Sequence, residues 1–210
     1  MALFKSNQQA IKDHLLKEHK FGLSREDQDG IDYVYQVFFE AGPALDYSFG
    51  GFFGGRETPT YSDLMSATDA QGKNWSFLAT EENFQLIREM EKNNLIVPIT
   101  GDFGGPKALR AVARYLKTHG ATVTAFYTSN VEQYLFQQND AWRRFYANAA
   151  ALPIDGTSVF IRSVSNRGLP AQGPGFGLRA QTKLCSIGDL LKAYSRGTVT
   201  GYYDVISMSH

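Results

Sequence analysis

The apolar run Leu95-Ile96-Val97-Pro98-Ile99-Thr100, the turn Gly101-Asp102-Phe103-Gly104-Gly105-Pro106 and the periodic stretch 107–116 follow one another without a break. They predict strand, glycine-rich turn and helix, the place where open α/β sheets bind ligands. Glycines 101, 104 and 105 permit a tight turn and close backbone approach, Pro106 suits a first helical position, and the helix would point unpaired N–H groups into the turn.

Further elements extend this pattern. Strands are expected over 121–127, 158–162 and 202–207, with helices over 80–94 (capped by Thr80), 107–117, 131–136, 140–151 and 186–194 and a Pro/Gly loop over 168–177. Pro98 cannot donate to a ladder, so the first strand belongs at an edge or an end. Alternating helices and strands from residue 80 onward predict a Rossmann-like α/β fold: a mostly parallel sheet of about four strands with helices on both faces. Residues 1–79 are expected to pack on this core within one domain. They carry helices over 6–20, 24–41 and, briefly, 60–65, and a Gly/aromatic loop over 45–56 that serves as a lid or is pinned to the surface by its rings.

Strand C-termini would line one rim and bring Asp102, Ser129, Asn130 and Arg162 toward a common crevice, with Gly101, Phe103, Gly104 and Gly105 as its backbone wall. Asp102 could accept from a ligand hydroxyl or bond its own loop; Ser129 and Asn130 could orient a ligand or cap the next helix. Arg162, polar at the end of an apolar strand, could meet a ligand anion or an ion-pair partner. The turn matches neither G-x-G-x-x-G nor a phosphate-loop Gly-Lys-Ser/Thr pattern, and no carboxylate stands at the end of the next strand to read a ribose.

Composition narrows the partners. In 210 residues, 21 basic side chains balance 21 acidic ones, so no net charge steers the chain toward nucleic acid or an acidic membrane. Cys185 is the single cysteine and is read as structural, with no histidine near it and no G-x-S-x-G elbow elsewhere. His14 and His19 are five apart, off the shared face of an α-helix, and no metal is expected. Without a signal-peptide core or a membrane-length apolar window, the expected location is the cytoplasm.

The segments 101–110, 124–135 and 142–148, together with 24–49 and 158–163, resemble a family of uncharacterised bacterial proteins over most of the chain. That resemblance implies a longer parent with an additional N-terminal α/β half, similar overall to class I S-adenosylmethionine-dependent methyltransferases, from which this chain begins late. Two functions are then expected as alternatives. One is binding of a small nucleotide-like molecule, such as S-adenosylmethionine, at the rim. The other is a non-enzymatic module whose exposed sheet edge is covered by a partner chain or a second copy.

Overall fold

Ser24, Thr60 and Thr80 each start a helix by accepting the backbone N–H three residues on, from Asp27, Asp63 and Asn83. At Ser24 and Thr60 the aspartate answers by accepting the cap's own N–H, closing a capping box. These caps open helices α2 (Arg25–Ala41), α3 (Tyr61–Ser66) and α4 (Glu81–Lys92), which follow α1 (Ala2–Asp13) and its π-helical extension His14–Glu18. The computed structural model describes residues 2–46, 58–165 and 180–210. Most of the Gly/aromatic loop and all of the 168–177 loop lie outside the described residues.

The chain divides into two units, Met1–Leu95 and Ile96–His210. In the first, Phe4 of α1 stacks on Tyr35 and packs at a tilt on Phe39 of α2, with ring centroids 4.9 and 4.5 Å apart, and Lys12 pairs with Asp32 at 2.7 Å. Yet α1, α2, α3 and α4 contain no buried residue.

The second unit holds helices α5 (Ala108–Thr118), α6 (Val131–Leu135), α7 (Ala141–Ala149), α8 (Ile187–Ser195) and α9 (Tyr202–Ser207) and strands β1 (Ala125–Ser129), β2 (Val159–Ser165) and β3 (Ala180–Ser186). The sheet order is β1-β2-β3, with β1 and β2 parallel and β2 and β3 antiparallel. This overturns the expected Rossmann-like, mostly parallel sheet of about four strands.

Three local differences account for the change. Residues 95–100 join no ladder: Leu95, Val97 and Ile99 are exposed, and Pro98 has no N–H to offer a neighbour. Residues 202–207 form α9 instead of a strand, because Asp204 accepts the N–H groups of Thr200 and Gly201 at the helix start and Val205 turns into the core while Tyr203 faces out. Finally, residues 180–186, to which the sequence assigns no strand, form β3 and turn the sheet antiparallel, and Ser186 caps α8 by accepting the Asp189 N–H.

Among the described residues of this unit, the helices pack on one face of the sheet. The paired row Phe126, Phe160 and Cys185 faces the core, where Phe145 and Tyr146 of α7 and Ile187 and Leu190 of α8 are fully buried. The next row, Tyr127, Ile161 and Leu184, lies on the opposite side with Tyr127 and Leu184 exposed. The outer edge of β3 is paired by the tail, where Leu184 and His210 exchange backbone hydrogen bonds at 2.9 and 3.0 Å.

Candidate functional site

The glycine turn is held from α7. Asn148, 2% exposed, donates through Nδ2 to the carbonyls of Phe103 (3.1 Å) and Gly105 (2.8 Å), while its Oδ1 accepts from Arg110 Nε at 2.8 Å. Arg144 Nε adds a bond to the Gly104 carbonyl at 3.2 Å, and the Phe103 ring stands about 6 Å from those of Phe126 and Phe145. The glycines serve this contact. A Cβ on Gly101 would run into that of Ala108, and one on Gly104 would lie 3.1 Å from the Ala141 carbonyl. Asp102 closes the turn on itself: Oδ1 accepts the Gly104 N–H at 2.9 Å and its carbonyl accepts that of Gly105 at 3.1 Å. Pro106 precedes Lys107, the residue that caps α5, so it sits outside the first helical position.

Arg162 is fully buried and points at Glu132 of α6, itself 1% exposed. Its Nε donates to Oε2 at 2.5 Å and its Nη2 to Oε1 at 3.0 Å, the two-point fork that suits guanidinium to carboxylate. Tyr146 donates to Oε1 at 2.6 Å and Thr128 to Oε2 at 3.1 Å, so both carboxylate oxygens are doubly used. On the far side of the guanidinium, Nη1 donates to Ser209 at 3.3 Å, and Ser209 donates to the Val205 carbonyl. Burial beside the Glu132 carboxylate pushes the Tyr146 phenol well above its ordinary range. Burial opposes the Arg162 charge, but the Glu132 hydrogen bonds and charge outweigh it and hold the guanidinium protonated. Burial likewise raises the Cys185 thiol.

Of the expected rim residues, the sheet brings two together. Ser129 and Arg162 are register partners on β1 and β2, and Ser129, at φ 50°, ends its strand at a bulge. Asn130 is exposed and precedes α6 without a side-chain cap bond. Arg162 is spent on Glu132 and Asp102 on its own turn. A groove does lie nearby in sequence, lined by Pro106, Lys107, Arg110, Ala111 and Arg114 at the start of α5. None of its three cations forms an ion pair among the described residues.

Sequence reading missed Glu132, Tyr146 and Asn148. Glu132 resembles an ordinary first-turn acid, and Tyr146 falls on an aromatic core face. Asn148 carried the one usable signal: it is the polar residue among the apolar positions 141, 142, 145, 146 and 149 of α7.

Fold and site together define a helix-rich α/β protein whose small mixed sheet closes over a buried ion pair. The chain belongs to the family described as a domain of unknown function (DUF7790), whose model matches residues 1–185. No curated protein matches it. Among the described residues, no helix is long and apolar enough to cross a membrane.

Proposed function

We propose that the chain is a non-enzymatic interaction module whose helical unit is covered by a partner protein chain. The supporting observation is α2. Ile31, Tyr33, Val34, Tyr35, Val37, Phe38 and Phe39 give its second half a broad apolar face opposite Asp32, Gln36 and Glu40. Phe4 meets Tyr35 and Phe39, while Tyr33, Val34, Phe38 and Phe39 remain 61%, 52%, 58% and 59% exposed. A contiguous apolar surface of this kind marks a protein contact. The reading includes a cytoplasmic location, where a lone thiol stays reduced. A photo-cross-linking residue at position 33 tests it. A protein adduct in cells that Phe38→Glu abolishes supports the reading; a chain that remains an unlinked monomer overturns it.

The groove at the start of α5 favours a second reading, in which Lys107, Arg110 and Arg114 bind a small anionic or nucleotide-like molecule in a methyltransferase-like protein. A thermal-shift screen with S-adenosylmethionine and nucleoside phosphates tests it, since a ligand well above its dissociation constant must stabilise the native state. No shift with any of them removes this reading and leaves the first intact.

A further inference from the structure

The helix α1 ends in a π-helical turn, and that turn brings two histidines together. Residues five apart on an α-helix lie about 140° apart around its axis. Over His14–Glu18 the helix is wound more loosely, and the His19 N–H donates to the His14 carbonyl at 3.1 Å, an i to i+5 bond. The two imidazoles then meet edge to edge, with Nε2 of His14 and Nε2 of His19 3.1 Å apart, ring centroids 4.6 Å apart and planes at 82°. On its other side His14 Nδ1 lies 2.8 Å from a Glu18 carboxylate oxygen. The His19 ring stacks on Phe21, with centroids 5.6 Å apart and planes at 13°. Both histidines are exposed.

We propose that this pair chelates one divalent transition-metal cation of the zinc, nickel or copper class through the two Nε2 atoms, with water in the remaining positions. Metal–nitrogen bonds of about 2.0–2.1 Å at a tetrahedral angle place two ligand nitrogens about 3.3 Å apart, and at a right angle somewhat closer. The observed spacing needs no backbone movement. Glu18 supplies the outer carboxylate that accepts His14 Nδ1–H, fixes that tautomer and leaves the Nε2 lone pair for the metal. His19 contributes its Nε2 lone pair by carrying its proton on Nδ1. Among the described residues no group of three or more His, Cys, Asp or Glu side chains could hold a metal, so this is an exchangeable two-imidazole site. Single-turn π insertions in α-helices are often found at functional positions.

Calorimetric titration of the untagged full chain with nickel or zinc tests the assignment. One equivalent is expected to bind, with at least a tenfold loss in His14→Ala and in His19→Ala and a weakening of roughly tenfold in Glu18→Gln, while the far-ultraviolet circular dichroism stays unchanged. In the unmodified chain, paramagnetic copper(II) is expected to broaden the His14 and His19 ring resonances before those of His119 and His210. Absence of uptake, unchanged affinity in either alanine variant, or broadening first at His119 or His210 overturns the proposal.

Discussion

Arg162 on β2 and Glu132 on α6 are thirty residues apart in sequence and form a two-point ion pair with exposures of 0% and 1%. Its net contribution is small, because desolvating both ions offsets most of their attraction, but breaking it is costly. Arg162→Met should destabilise the protein by about 3–5 kcal/mol, read from urea unfolding. The double substitution Glu132→Leu/Arg162→Met should cost less than Arg162→Met alone, since no buried charge is then left unpaired.

Removing the Asn148 amide strands the buried Gly105 carbonyl, the half-buried Phe103 carbonyl and the Arg110 contact. Asn148→Ala should cost about 1–3 kcal/mol, with faster amide hydrogen exchange at Gly104 and Gly105 than at β2.

Gly101→Ala should be more destabilising than Gly104→Ala. The first new methyl meets the side chain of Ala108 at less than contact distance, whereas the second lies 3.1 Å from a carbonyl on α7 that can give slightly. Thermal midpoints of the two variants check the order.

Asp204 accepts from Thr200 and Gly201 at the start of α9, and the Thr200 bonds hold its carboxyl below the usual carboxylate range. Its folded pKa is the lower one, so its contribution to stability is present above the unfolded value of about 3.9 and is lost as pH falls through the folded value. The difference in thermal midpoint between the parent and Asp204→Ala should stay constant from neutrality to about pH 5 and shrink below about pH 4.

Cys185 is 1% exposed, and burial raises its thiol pKa. Iodoacetamide at neutral pH should leave the native chain unmodified for hours and label it within minutes in denaturant, because the thiolate is the reactive form.

The helices with strong local signals were legible in the sequence. Ser24, Thr60 and Thr80 cap where their side-chain chemistry demands, and the apolar faces of α5 and α7 carry their period openly. The strands were less so, because short apolar runs do not encode their partners. Residues 95–100 and 202–207 are equally apolar, yet one is extended and unpaired and the other is helical under the control of Asp204. At the candidate site, sequence reading located the turn and singled out Arg162, with an ion pair among its alternatives. It could not supply Glu132, since nothing local to residue 132 shows that β2 will run beside the start of α6. The π turn was illegible for a related reason: one extra residue of winding changes which side chains share a face.

Asn148 ties the turn to a single neutral side chain. It uses both amide hydrogens on the carbonyls of Phe103 and Gly105, so an aspartate in its place would set an anion against two acceptors without any change in bulk. The turn would then be repelled where it is now gripped, and the identity of one atom decides which.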